Sequence, residues 1–156
     1  MDAIMRTIVQ RSLQSNVKVD GKVVGEIEKG LVILVGFTYD DTIEDIKKMV
    51  DKIIHLRIFD DDNGVMNRSL LDVGGEILSI SQFTLYADTK KGRRPSYIKA
   101  LNGEEAIHLY DQFNLLLKEH NINVSTGIFG ADMKVSITND GPITIALESE
   151  EWHVKK

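Results

Sequence analysis

The sequence contains no cysteine and only two prolines and one tryptophan. Without cysteine, the chain can form no disulfide, no thiolate metal site and no cysteine nucleophile. Its four histidines are far apart, and none has a partner at metal-ligand spacing, so we expect neither a metal nor a cofactor. No apolar run approaches about eighteen residues and no leader is visible, so we expect a cytoplasmic protein with no membrane contact.

Acidic residues outnumber basic ones, 24 to 19, and the 156-residue chain has a formal net charge of −5. Because surfaces that bind long duplexes are generally basic, any contact with nucleic acid must be local. The densest cluster of cations consists of Lys90, Lys91, Arg93 and Arg94. This cluster either holds phosphate or is an ordinary solvated loop.

The apolar pattern predicts one α+β domain, with curled, mostly antiparallel, barrel-like sheets and two packed helices. Residues 1–4 and 149–156 are expected to be peripheral tails. One amphipathic helix should begin at Asp41 or Thr42 and another at Asn102. The continuously apolar residues 30–37 predict a strand that is buried on both faces.

Turn residues predict two hairpins. Asp20 and Gly21 tolerate positive φ angles and should close a hairpin over residues 17–27. Residues 134–138 should form a strand that turns at residues 139–142 and pairs with residues 143–148. The acidic residues 60–64 lack the closing glutamate of a calcium loop, so they predict a solvated turn.

An unusual polar group interrupts a predicted central strand within residues 75–97. Ser81, Gln82 and Thr84 stand where a buried strand normally carries aliphatic side chains. On a strand, Gln82 and Thr84 would share one face, and they could form the floor of a pocket. The alternative is a half-exposed strand with threonine present for its β propensity.

A second unusual segment is Asp140-Gly141-Pro142, because proline cannot donate to the hydrogen bonds of a sheet. It could simply be a turn. A cis Gly141–Pro142 bond would instead present two backbone carbonyls outward as a rigid wall. Such a wall would exclude some substrate shapes without offering a polar side chain that also binds them.

These two segments resemble the motifs of the D-aminoacyl-tRNA deacylases, also called D-tyrosyl-tRNA deacylases. Residues 81–85 match the family's S-Q-x-T-L, and residues 139–144 match its N-x-G-P-x-T. The resemblance extends over nearly the whole chain, apart from residues 1–4 and the segment after Glu148.

The resemblance implies a homodimer with active sites at the subunit interface, where Gly141 and Pro142 of one subunit enter the site of the other. Their carbonyls would reject L-aminoacyl esters at the 3′ end of tRNA. D-amino acids, and glycine mischarged on tRNA-Ala, would then be released. Arg11 matches the arginine that anchors this element. Phe129 and Met133 are expected to line an adenosine pocket, or else to belong to the core.

Ester hydrolysis needs mainly positioning and an oxyanion hole, because the ester is already activated. We expect backbone N–H groups around Phe83 and Thr84, helped by Ser81 and Gln82, to supply that oxyanion hole. Residues 79–87 contain no histidine or lysine to activate Thr84 as a nucleophile. The resemblance favours assistance by the tRNA 2′-hydroxyl, with Thr84 as a positioner. A threonine nucleophile and a non-catalytic binder of RNA ends are the alternatives.

Overall fold

The computed structural model describes residues 5–149. Within these residues the chain forms ten strands in three sheets, and three α-helices. The strands are β1 (Arg6–Ser12), β2 (Ser15–Val19), β3 (Lys22–Ile27), β4 (Gly30–Gly36), β5 (Phe59–Asp60), β6 (Met66–Arg68), β7 (Glu76–Ser81), β8 (Val124–Thr126), β9 (Lys134–Ser136) and β10 (Asn139–Glu148). The helices are α1 (Ile43–His55), α2 (Leu70–Val73) and α3 (Gly103–Lys118), and Phe83–Tyr86 forms a 3₁₀ turn.

The main sheet has the strand order β10-β1-β4-β7-β8. β1 is antiparallel to both of its neighbours, whereas β7 is parallel to β4 and β8. Helices separate the parallel strands along the chain, as parallel connections require. The predicted single α+β domain is confirmed. Five of the seven strand pairings are antiparallel, as predicted, and the two parallel pairings make the main sheet mixed. No pairing of described residues closes the sheets into a barrel.

β4 is the central strand of the domain, and its prediction as a strand buried on both faces is confirmed. Leu31, Ile33 and Val35 pack into the larger core beneath α1 and α3. Val32 points to the opposite face and packs against Val17 and other residues of a smaller core. The alternation of a strand thus lets one apolar run serve two cores.

Both predicted helices are present, and side chains fix where they begin. Thr42, rather than Asp41, caps α1 through a reciprocal capping box with Asp45. Asn102 caps α3. The short helix α2 was not predicted, because four residues are too few to show a helical period. Ser69 caps its N-terminus, and Gly74, with a φ of 63°, caps its C-terminus.

The hairpin closed by Asp20 and Gly21 is confirmed, but the second predicted hairpin is wrong. β9 pairs with β2, whereas β10 pairs with β1 in the main sheet. Residues 139–142 are therefore the start of β10 and not a turn between two paired strands. Their turn-like composition reflects a break in the β1–β10 register, a feature that local sequence does not distinguish from a hairpin turn.

Ser149, which the sequence assigns to a peripheral tail, is buried at the end of the domain. Its N–H donates to the carbonyl of Met5 over 2.9 Å, and its hydroxyl accepts the N–H of Met5 over 2.8 Å. The rest of both predicted tails, residues 1–4 and 150–156, lies outside the described residues. No helix among residues 5–149 is long and apolar enough to cross a membrane.

Candidate active site

The polar stretch that follows β7 is a 3₁₀ turn, so the strand predicted beyond Ser81 is wrong. The N–H of Gln82 still donates to the carbonyl of Val35 over 2.8 Å, and the chain then winds into the turn. The two-residue period of a strand therefore does not relate Gln82 to Thr84. Instead, the side-chain amide of Gln82 donates directly to the hydroxyl oxygen of Thr84.

Gly36 allows the turn to pack closely against β4. A Cβ at this position would lie 2.8 Å from the ring of Tyr86 and 2.9 Å from the carbonyl oxygen of Gln82. The hydroxyl of Tyr86 donates to the carbonyl of Gly36 over 3.1 Å, and burial raises its pKa. Arg6 lies 5.1 Å from the centre of the Tyr86 ring and donates to the carbonyl of Leu85 over 2.8 Å. Contacts with Gly36 of β4 and with Arg6 of β1 thus hold the turn in place.

The turn presents backbone donors at its start. The first N–H groups of a helical turn have no acceptor within the turn itself. In residues 5–149 we find no hydrogen-bond acceptor for the N–H of Phe83 or Thr84. The side chain of Phe83 is 57% exposed, and its ring meets that of Tyr97 edge-on at a centroid distance of 5.1 Å.

A cavity of about 570 Å³ lies between this turn, the start of α3 and residues 129–135. Its volume is typical of small-molecule sites. Five of the predicted site residues line it: Ser81, Gln82, Phe83, Phe129 and Met133. Thr84 is not a lining residue and reaches the site through Gln82.

Sequence analysis missed several lining residues, among them Gly36, Tyr97, Ala100 and Ala106. A signal was present for one of them. Ala106 is a small residue on the otherwise bulky apolar face of α3, and it leaves room where a leucine would fill space. Nothing local marks the others, because only the tertiary fold brings them to the cavity.

Phe129 and Met133 both line the cavity and pack against a hydrophobic core. Phe129 packs against the larger core, where its ring lies 5.9 Å from that of Tyr110, and Met133 packs against the smaller one. Tyr110 is held in turn by donating to the carbonyl of Ser79 over 2.7 Å. Each side chain therefore has one side in a core and the other in the cavity.

The second motif forms an exposed loop at the start of β10. The side chain of Asn139 closes it, accepting the N–H of Ile143 over 3.0 Å and donating to the hydroxyl of Thr144 over 2.9 Å. Gly141 has a φ of +126°, which residues other than glycine rarely adopt. The Gly141–Pro142 bond is cis, and both residues are exposed. We call residues 140–142 the corner.

Arg11 is buried beneath the corner and holds it by charge and by hydrogen bonds. Its Nε donates to the carbonyl of Asp140 over 3.1 Å and lies 3.3 Å from the carboxylate of the same residue. Its Nη1 donates to the carbonyl of Ile58 over 2.9 Å and to Asp60 over 3.3 Å. The planar guanidinium thus ties β1, β5 and the corner together.

The corner and the cavity lie at opposite ends of the main sheet. Ser12 pairs with both Asn139 and Gly30, and Gly30 pairs with Glu76, so the corner is level with the start of β7. The cavity begins at Ser81, where β7 ends. With about 3.3 Å per residue and about 4.8 Å per strand, the two are roughly 20 Å apart. The corner therefore cannot enter the cavity of its own chain.

One carboxyl group that does not line the cavity has a strongly perturbed pKa. Burial raises the pKa of Asp41 to about 7, and the nearby carboxylates of Asp45 and Asp40 act in the same direction. The N–H of Thr38 opposes the shift by donating to Asp41 over 2.7 Å. In the described part of the chain, no group of three acidic or histidine side chains could hold a metal ion.

Comparison with known proteins identifies the family of the chain. The model of the family described as D-Tyr-tRNA(Tyr) deacylase matches residues 8–148. The chain belongs to this family. A D-aminoacyl-tRNA deacylase of Clostridium botulinum (strain Langeland) is 58% identical over 147 residues, which cover 94% of this chain and 99% of the relative. The enzyme of the same name from Clostridium novyi (strain NT) is 57% identical over the same coverage.

Solved structures extend the comparison to the fold. A structure titled c-Myc DNA Unwinding Element Binding Protein superposes with a TM-score of 0.85 at 37% identity, covering 91% of this chain and 97% of that one. A probable eukaryotic D-amino acid tRNA deacylase superposes with a TM-score of 0.81, covering 93% and 99%. At 20% identity, the second likeness concerns the fold alone.

Proposed function

We propose that this protein hydrolyses the ester between a D-amino acid and the 3′-terminal adenosine of tRNA, in the cytoplasm where tRNA is charged. As a member of its family, the chain is a D-aminoacyl-tRNA deacylase, an ester hydrolase. The observation that carries the proposed site is the cavity beside the 3₁₀ turn. Phe83 lines this cavity, and neither its N–H nor that of Thr84, the next residue of the turn, has an acceptor within residues 5–149.

These two N–H groups would stabilise the oxyanion that forms when water attacks the ester carbonyl. One such donor typically contributes about 10²- to 10³-fold to the rate. Ser81 and Gln82 line the same wall and would orient the amino acid. The bond between the carbonyl carbon and the 3′-oxygen of the ribose then breaks, and the ribose oxygen takes up a proton. Phe129 and Met133 offer an apolar surface for the unpaired adenine.

The vicinal 2′-hydroxyl of the ribose would assist the reaction, because the segment that carries Thr84 offers no general base. No histidine or lysine lies in residues 79–87, and the hydroxyl oxygen of Thr84 accepts the amide of Gln82. A threonine nucleophile needs an adjacent base to remove its proton. We therefore assign Thr84 the role of holding Gln82.

The stereochemical filter would be the corner of a second subunit in a homodimer. The corner is exposed, is anchored by Arg11 and lies too far from its own cavity to enter it. Placed at the partner's cavity, the carbonyls of Gly141 and Pro142 would exclude the side chain of an L-aminoacyl ester. Glycine has no side chain to exclude, so glycyl-tRNA-Ala would also be hydrolysed.

Two D-tyrosyl-tRNA substrates test the role of the 2′-hydroxyl, and L-tyrosyl-tRNA tests the filter. The first carries D-tyrosine on the 3′-hydroxyl of a terminal 2′-deoxyadenosine, and the second carries it on normal adenosine. The wild-type protein should hydrolyse the normal substrate and lose at least about 10²-fold in rate on the deoxy substrate, in line with the loss of an acid–base group. Equal rates on both would contradict the role of the 2′-hydroxyl. Equal rates on D- and L-tyrosyl-tRNA would contradict the filter.

A further inference from the structure

The cationic loop singled out in the sequence begins and ends at the rim of the cavity. Asp88 and Ser96 exchange two backbone hydrogen bonds of 2.8 Å each, which close the base of the loop. The next residue, Tyr97, lines the cavity and touches Phe83 on the 3₁₀ turn. We call residues 88–96 the basic loop. Its base is held in place beside the proposed site.

The tip of the basic loop carries four cations, none of which forms a direct ion pair within residues 5–149. Lys90, Lys91, Arg93 and Arg94 are all exposed. The only acid of the loop, Asp88, is already occupied, since it accepts the N–H of Lys90 over 3.0 Å and pairs with Lys99 over 3.6 Å.

Such a concentration of one sign is unusual on this protein, whose net charge is −5. Like charges repel one another, so their clustering does not help the fold. An external polyanion would relieve this repulsion. The loop therefore provides a local attraction for a polyanion on a surface that otherwise repels one.

We propose that the basic loop binds backbone phosphates of the tRNA strand whose 3′ end occupies the cavity. This inference rests on the proposed function. About four residues separate the base of the loop from its tip, a reach of at most roughly 13 Å. Stacked nucleotides advance about 3.4 Å each, so this reach spans the first three or four phosphates before the terminal adenosine. The loop thus acts on substrate capture and leaves the chemical step to the cavity.

The contribution of the loop has a characteristic dependence on salt. Each protein cation that contacts a phosphate of a single strand makes the slope of log affinity against log salt more negative by about 0.7. At 0.15 M salt this corresponds to about fourfold higher affinity than at 1 M salt. Arg93 and Arg94 together should therefore contribute about 15-fold. Neither residue should affect a substrate that has no phosphates.

The test compares Arg93→Ala/Arg94→Ala with Lys48→Ala/Lys52→Ala, a control that removes the same charge from the exposed face of α1. Two substrates are used, D-tyrosyl-tRNA and 3′-O-D-tyrosyl-adenosine. We expect the loop variant to lose about 15-fold in kcat/KM on tRNA, with a salt slope smaller by about 1.4, and to match the wild type on the nucleoside ester. The control should match the wild type on both.

Two results would overturn the proposal: wild-type activity of the loop variant on tRNA, or equal losses on both substrates. Binding of an uncharged hairpin RNA with a single-stranded 3′-CCA end, measured by fluorescence anisotropy, gives a readout that does not need hydrolysis. If the wild type hydrolysed neither ester, the proposed function would fail. The loop would then be judged by whether its variant alone weakens RNA binding.

Discussion

Under the proposed mechanism, the hydroxyl of Thr84 serves the site without reacting. Its side chain does not line the cavity, and its oxygen accepts the amide of Gln82, which does. The amide would otherwise have several orientations available. Thr84 therefore selects one of them, and its loss should affect the position of substrate more than the reaction path.

Replacing Thr84 by alanine tests this role. Loss of one positioning hydrogen bond costs about 1–2 kcal/mol, so Thr84→Ala should lower kcat/KM for D-tyrosyl-tRNA by roughly 5- to 30-fold. Thr84→Ser keeps the acceptor and should retain most of the activity. Single-turnover kinetics would measure both variants. Complete loss of hydrolysis in Thr84→Ala, or a trapped covalent intermediate on the wild type, would show that the hydroxyl is a nucleophile.

Asp41 makes a prediction about stability and pH. Its carboxyl group has a pKa of about 7 in the folded protein, raised mainly by burial from 3.8. The folded state therefore binds more protons than the unfolded state between these values, and the contribution of Asp41 to stability falls as pH rises from about 4 to about 7. Asp41→Asn keeps an acceptor for Thr38 and should be more stable than the wild type at pH 8, with the difference shrinking towards pH 4.

Urea unfolding at pH 4 to 8 measures this effect. Glu104→Gln provides the control, because it changes an exposed carboxylate that is not among the charges acting on Asp41, and it should not alter the shape of the pH profile. If Asp41→Asn kept the pH dependence of the wild type, the burial of this carboxyl group would not be the cause.

At the scale of elements, β4, α1 and α3 could be predicted from the sequence, because the residues of each element contain the pattern that identifies it. A continuous apolar run, a regular apolar period and side-chain caps are local features. The 3₁₀ turn and the partner of β10 lack such signals. The turn depends on Gly36, far away in sequence, and β10 pairs with β1, at the other end of the chain. The first motif pointed to the residues beside the cavity, but only the tertiary fold shows the shape of that cavity.

Gly36→Ala tests the dependence of the turn on β4. The added Cβ would lie within 3 Å of Tyr86 and Gln82, so the turn must move away from the strand. We expect a destabilisation of about 1–3 kcal/mol and more than tenfold loss of kcat/KM. Gly103 lines the same cavity, but a Cβ at this position would meet only Phe129, at 3.9 Å. The variant Gly103→Ala should therefore behave like the wild type. Equal effects of the two changes on activity would contradict this role of Gly36.

At the scale of the whole molecule, one chain carries a cavity and a corner that it cannot bring together by itself. The cavity and the corner are separated by the width and length of the main sheet. β10, which carries the corner, is an edge strand with one side unpaired by described residues. A second copy of the chain is the simplest source of a corner for each cavity. The proposed filter therefore exists only in an assembly.

Hydrolysis of L-tyrosyl-tRNA by defined heterodimers, isolated with two affinity tags, tests this claim most directly. Ala100→Trp fills one cavity, and Gly141→Ala distorts one corner, because the added Cβ would lie 2.9 Å from Ile143. With the two changes in different protomers, the open cavity receives an intact corner and should reject the L-ester. With both changes in one protomer, the open cavity receives the distorted corner and should hydrolyse it. The reverse pattern, in which rejection follows the corner of the same chain, would contradict the account.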